Sequence, residues 1–345
     1  MKKYILILLL FLSSSVFCGN FAQKKINEIN WYSLEEAESL QKTKPKVIMI
    51  DFYTDWCGWC KKLDKLTYKN DSIIKYINSN FYPVKFNAEK KDIVKYLGKV
   101  YGSKKRGKKF LNDFAVKLLD GKLSYPSIIY LDENFKKIGV HGYTESKDLF
   151  IILTYFAEKI YKNTPFEEYK KFYIKTKKSF KNSFSLIKWT KIEELEKENE
   201  EKPKKILIHL YASWMQSSQI MTETTFNDPS IAKYLNEKFY CVHFNVFSKD
   251  SLFIFNRSFK NDTIKNPFHD FAIAILEGKM IFPAVIVMDE NKKLINRLQA
   301  YLTPEKAESI FKYFGDNEYK SVKWEEYSKN FKSEFFKKKT INNKK

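Results

Sequence analysis

Val47-Ile-Met-Ile-Asp-Phe-Tyr53 is an apolar run broken by a single acid, short and β-prone, as in a strand covered on both faces. Past Trp56 the period changes: Cys57, Cys60, Leu63 and Leu66 recur at helical spacing. A buried strand therefore passes through a short loop into a helix. Upstream, Ser33 and Glu36 have capping-box spacing and predict a helix to about Gln41, with Pro45 ending the linker. Downstream, Asp71 or Ser72 is expected to cap a helix from Ile73. Residues 81–87 alternate as a strand. Residues 90–97 read as helical, 102–109 as a basic loop, and 112–119 as a helix. Asp120-Gly121 turns the chain into Tyr125-Pro126 and a second apolar run, 128–131. Asp132-Glu-Asn134 is the turn of a hairpin, and Ser146 opens a helix to about residue 162. The order β, α, β, α, β-β-α predicts an α/β fold, a mixed central sheet flanked by helices.

The pattern then recurs. Trp31, Pro45, Tyr53, Trp56 and Phe81-Tyr82 return as Trp189, Pro203, Tyr211, Trp214 and Phe239-Tyr240, all displaced by 158 positions. Asp113-Phe-Ala115, Gly121-Lys122, Pro126 and Asp132-Glu-Asn134 return as Asp270-Phe-Ala272, Gly278-Lys279, Pro283 and Asp289-Glu-Asn291, with one residue lost. Phe166-Glu-Glu-Tyr169 returns as Trp324-Glu-Glu-Tyr327. So long a spaced correspondence is a duplicated domain. These last elements are expected to start amphipathic helices, each docked on its own domain. The copies differ where chemistry would sit: Cys57-Gly-Trp-Cys60 becomes Met215-Gln-Ser-Ser218 and Asp51 becomes His209. The second copy cannot run dithiol exchange; Trp214 and Pro283 persist and suffice for the fold, or for holding a peptide. Ser217 or Ser218 with His209 lacks an aligned base and an oxyanion site, so a hydrolase is disfavoured.

Composition adds limits. The 345 residues suit two domains. The 62 basic against 41 acidic residues give a net charge of +21. The excess lysine is spread along the chain and densest at 104–109 and in the tail. No nucleic-acid recognition motif accompanies it, so a solvated basic surface, suited to acidic partners or anionic lipid, is the preferred reading. Lys2-Lys3, the apolar stretch 5–12 and Ser13-Ser-Ser15 form a secretory signal too short for a good membrane span. Cleavage is placed after Cys18 or Ala22. Membrane attachment would follow only from lipidation at Cys18, which Phe17 and Ser15 disfavour. The expected organisation is a signal peptide at 1–22, a dithiol domain at 23–165, a helical linker at 166–188, a degenerate domain at 189–330 and a disordered basic tail at 331–345.

With Cys18 removed, Cys57, Cys60 and Cys241 remain: one pair and one single, not a disulfide scaffold. Cys57 opens a helix, where exposed N–H groups and the dipole stabilise a thiolate; Cys60 lies one turn along the same face. The pair suits reversible thiol–disulfide exchange. A stable disulfide or half a zinc site are the alternatives, though zinc wants four ligands and His141, His209, His243 and His269 are scattered. Cys57 is expected to attack from an exposed position and Cys60 to resolve from a more buried one. Asp51, inside an apolar run, is expected to be buried with a raised pKa. Trp56 is expected to pack, since the degenerate copy keeps Trp214. Trp59 belongs to the reactive surface, and Tyr125 packs while bordering the groove. Cys241 is a buried free thiol.

Asp51, Trp56-Cys57-Gly58-Trp59-Cys60 and Pro126 together resemble the thioredoxin superfamily, in particular exported bacterial members with a Trp-Cys-Gly-Trp-Cys centre; the likeness covers residues 31–162. It implies two tandem thioredoxin-like domains, the second without cysteines. It also implies that Pro126 is cis, faces the dithiol and pairs with substrate backbone, and that Asp51 moves a proton for Cys60. No cofactor is implied. Partners would be protein disulfide substrates and a redox partner, in the periplasm or cell envelope, with reduction preferred over oxidation or isomerisation. A non-catalytic binding scaffold and a metal- or haem-maturation thiol chaperone are the rival readings.

Overall fold

The computed structural model describes residues 27–107, 109–179, 185–261 and 266–336. The expected signal peptide, Cys18 and residues 337–345 of the tail lie outside the described residues; residues 331–336, expected to be disordered, are instead held in place, with the Glu334 and Phe335 amides donating to Glu308. In the first copy the elements are α1 (Leu34–Thr43), β1 (Val47–Tyr53), α2 (Gly58–Lys62), α3 (Asp71–Asn80), β2 (Phe81–Asn87), β3 (Val94–Tyr96) and β4 (Lys99–Tyr101). They continue as β5 (Ser103–Arg106), β6 (Lys109–Asn112), α4 (Asp113–Leu118), β7 (Ser127–Leu131), β8 (Lys137–His141), α5 (Ser146–Ala157) and α6 (Phe166–Ser179). The second copy contributes α7 (Leu195–Glu201), β9 (Lys205–Tyr211), α8 (Gln216–Met221), α9 (Pro229–Lys238), β10 (Phe239–Asn245), β11 (Leu252–Ile254) and β12 (Arg257–Phe259). It closes with α10 (Asp270–Ile275), β13 (Ala284–Met288), β14 (Leu294–Leu298), α11 (Pro304–Gly315) and α12 (Trp324–Asn330).

The first sheet has the order β2-β1-β7-β8 and the second β10-β9-β13-β14. In each, the first strand runs parallel to its outer neighbour and antiparallel to the next, giving the mixed sheet expected. Ser33 and Glu36 close the capping box on α1. Both Tyr125–Pro126 and Phe282–Pro283 are cis peptides, as the resemblance implied for the first. After α2, and again after α8, the helix widens into a π turn, Leu63–Thr67 and Thr222–Phe226. The hydroxyls of Thr67 and Thr225 donate to the carbonyls of Thr144 and Leu302, so the two turns are tied down alike.

Three expectations fail locally. Residues 90–97 are not a helix: β3 pairs with β4 through Leu97-Gly98, both at positive φ, and the second copy repeats the hairpin through Phe255-Asn256. The basic stretch is not a loop but the β5–β6 hairpin. Asn70, not Asp71 or Ser72, caps α3, because its side chain accepts from the amides of Ser72 and Ile73.

Each sheet has one face with a private core. Ile48, Ile50, Phe52 and Phe114 pack in the first copy, and Ile206, Ile208, Leu210 and Phe271 in the second. The other faces join one continuous cluster that runs from Met49 and Tyr130 through Tyr169 to Leu207, Val287 and Phe311. Helix α6 therefore does more than dock on its own domain: Tyr169 is fully buried, donates to Thr154 Oγ1 at 3.0 Å and meets Tyr301 of the second copy. A shared apolar core of this kind couples domains more firmly than the polar contacts usual between them.

Gly139 on β8 shows how tight the first half of that core is. A Cβ there would overlap the Phe156 ring, which is stacked on Tyr130 at 4.3 Å and cannot swing aside. Gly139→Ala is expected to cost about 1–3 kcal/mol, read as a lowered urea midpoint at unchanged slope.

Candidate active site

Strand β1 ends at Tyr53 and the chain turns at once into α2, with the Cys57 amide donating to Thr54 O at 3.1 Å. Cys57 is the N-cap: its sulfur accepts from the Cys60 amide at 3.0 Å, and the two residues lie one turn apart along the chain. They are joined as a disulfide, with Cα atoms 5.3 Å apart. Register brings the other groups alongside. Phe52 pairs with Ser127, so cis-Pro126, the residue before it, lies beside the end of β1 that feeds the dithiol loop. Trp56 meets Tyr125 edge-on at 6.3 Å and so links the cysteine loop to the proline loop.

Exposure departs from expectation at two residues. Cys57 is only 4 % exposed, scarcely more than Cys60 at 3 %, because as N-cap its side chain folds back over the first turn. The residues beside it stand out instead: Trp56 and Trp59 are 58 % and 56 % exposed. Trp56 is thus not a packing residue. Its indole N–H donates to Glu89 at 2.9 Å, and Lys109 from the β5–β6 hairpin lies 3.6 Å over its ring. Trp59 lies on the reactive surface against Tyr143 at 4.9 Å, with Lys62 over both rings. The structure brings Cys57, Cys60, Trp56, Trp59, Tyr125 and Pro126 to one end of the sheet.

Asp51, on β1 two residues before the strand ends, is buried, with Oδ1 unpartnered. Burial pushes its pKa up to about 7, against the opposing pull of Lys85, with Asp64 adding to the rise and the nearby Tyr68 hydroxyl easing it. An acid poised near neutrality can take or return a proton at physiological pH. Lys85, Asp64 and Tyr68 were not legible as site residues. Lys85 is the register partner of Asp51 across β1–β2 and is ion-paired to Asp64. With Trp31 and Tyr68 they line a cavity of about 200 Å³. A signal existed: the second copy changes both members of the pair together, Asp51 to His209 and Lys85 to His243.

In the second copy His209 and His243 stack at 5.0 Å. Burial holds both pKa values down, His243 to about 4. His209 has neither ring nitrogen hydrogen-bonded, so it does not activate Ser217 or Ser218. Cys241 is buried, and burial pushes its thiol up to about 12, which leaves it inert.

The profile of a family described as "Thioredoxin-like domain" matches residues 34–157 and again 192–315. The "Thiol:disulfide interchange protein DsbD" of Campylobacter jejuni (strain RM1221) is 26 % identical over 165 residues, covering 43 % of this chain and 26 % of that protein. The protein of the same name from Yersinia pestis (strain Pestoides F) is 33 % identical over 61 residues, 16 % of this chain and 10 % of that one. The chain thus spans about a quarter or less of the length of these relatives. Among solved structures, "DsbH Oxidoreductase" matches at 19 % identity and a TM-score of 0.29, over 41 % of this chain and 94 % of that one. A putative disulphide-isomerase from Bacteroides thetaiotaomicron matches at 19 % identity and a TM-score of 0.26, over 46 % and 100 %.

Proposed function

The chain belongs to the thioredoxin-like domain family in both halves, and from that premise we propose that its first copy is a thiol–disulfide oxidoreductase acting on protein disulfides outside the cytoplasm, as a reductant. The observation that carries this reading is the pairing of a Cys57–Cys60 disulfide at a helix N-terminus with a buried acid whose pKa stands near 7. The Cys57 thiolate attacks a client disulfide, forms a mixed disulfide and expels one client thiolate. The Cys60 thiolate then attacks the Cys57 sulfur, closes the internal disulfide and releases the second client thiol. Two electrons pass to the client, and a separate dithiol protein restores the pair. Asp51 accepts the Cys60 proton in the second step. Pro126 and Tyr125 hold the client strand, and Trp56 and Trp59 flank it. The Lys2-Lys3 and apolar 5–12 pattern supports export; among the described residues no helix is long and apolar enough to cross a membrane.

The test is reduction of insulin by dithiothreitol with catalytic amounts of the purified protein. Acceleration of tenfold or more is expected, about 1.4 kcal/mol off the barrier. A fully reduced, folded protein that leaves the rate unchanged would overturn the reading.

A further inference from the structure

The two copies differ in how much of the same face they leave open. Around the dithiol, Trp56, Gly58 and Trp59 meet solvent. In the second copy Trp214, in the place of Trp56, stays exposed, but Gln216, in the place of Gly58, is half-buried, Ser217, in the place of Trp59, is fully buried, and Phe282 before cis-Pro283 is nearly so. Tyr301 is 3 % exposed; it stands where Tyr143 stands in the first copy, since the following residues, Leu302 and Thr144, accept the equivalent threonine hydroxyls.

What covers this face is the end of the first copy. Glu158, just past α5, reaches the start of α8. Its Oε1 accepts from the Gln216 amide at 3.0 Å and its Oε2 from the Ser217 amide at 2.7 Å, while Tyr76 donates to Oε1 at 3.0 Å. From α6, Tyr169 sets its ring edge-on to Tyr301 at 5.8 Å. Lys306 of α11 donates to the Asn163 carbonyl. A gap of about 50 Å³ remains between Glu158, Lys162, Phe282 and Tyr301.

The lost cysteine explains why Glu158 fits. In the first copy the Cys57 sulfur caps α2. Met215 offers no acceptor, and no side chain of its own caps α8. Glu158 supplies the acceptors from the other copy. Asp316, its counterpart 158 positions on and one methylene shorter, pairs with Lys238 of its own domain at 3.3 Å.

We propose that the client face of the second copy is an internal docking surface, occupied by α5 and α6 of the first copy through Glu158. The second copy then acts as a holdfast for the reactive one and takes no client of its own. The test measures amide hydrogen exchange at Gln216 and Ser217 in the full chain, wild type against Glu158→Ala and Glu158→Gln. Alanine is expected to speed exchange at these two amides by at least about tenfold, with glutamine between, since it keeps one acceptor oxygen. Insulin reduction should stay within about twofold, because Glu158 lies outside the dithiol site. Equal protection in wild type and folded Glu158→Ala overturns the proposal. If alanine does not fold, Glu158→Gln must show the loss on its own, and its failure to do so overturns it equally. A client trapped on Cys60→Ser should leave its footprint on residues 125–143; a footprint on 282–301 also overturns the proposal. The amide readout does not involve the dithiol and so decides this point whether or not the chain reduces clients.

Discussion

Cys57→Ser is expected to bring insulin reduction down to the uncatalysed background, a loss of about a hundredfold or more. A serine hydroxyl can still accept from the Cys60 amide, so α2 keeps its cap and the fold should survive, as circular dichroism and a urea midpoint equal to that of the reduced wild type would confirm. Cys60→Ser should behave differently. It leaves Cys57 able to attack but removes the sulfur that resolves the adduct, so the mixed disulfide should accumulate as a band on non-reducing gels that dithiothreitol abolishes. Equal activity in wild type and Cys57→Ser would refute catalysis by this pair. Adducts on Cys57→Ser rather than Cys60→Ser would reverse the two roles.

Asp51→Asn should stabilise the disulfide form by about 4 kcal/mol at pH 8, the value of roughly three pKa units. Folded Asp51 keeps its proton up to about pH 7, whereas its ordinary value is 3.8. Between those limits the folded state binds the extra proton, so wild-type stability falls as pH rises through the window and stays low above it. The asparagine variant pays no such penalty; its advantage should be full above pH 7 and gone below about pH 4. Urea midpoints at pH 4 and pH 8 measure this, and equal midpoints at pH 8 would show that Asp51 is not held protonated by burial. The same change should slow release of the mixed disulfide by about a hundredfold at neutral pH and remove an inflection near pH 7 from its pH profile.

Much of the fold was legible because local signals agreed with it. The apolar run of β1, the Ser33–Glu36 capping box and the 158-residue echo were each enough to place an element. Residues 90–97 misled because Ile93, Val94, Tyr96 and Leu97 have helical spacing although only Val94 and Tyr96, two apart, are buried, and the turn that makes the hairpin puts Leu97 at positive φ, which a leucine does not advertise. Gly98 beside it was the usable signal, and in the twin Asn256 fills the same place. At the site, the cysteines, Asp51 and Pro126 announce themselves by residue type and spacing. Lys85 and Glu158 do not, since one depends on strand register and the other on how two domains meet.

The π turn after α2 would, in a single-domain protein, invite a catalytic explanation, since such irregularities cluster at working sites. Here the molecule supplies its own control. The half without the cysteine pair keeps the same irregularity, held by the same threonine-to-carbonyl tether. Whatever selects that widened helix, a dithiol is not required for it; the demand is architectural, and the cysteine pair sits on a scaffold that stands equally well without it.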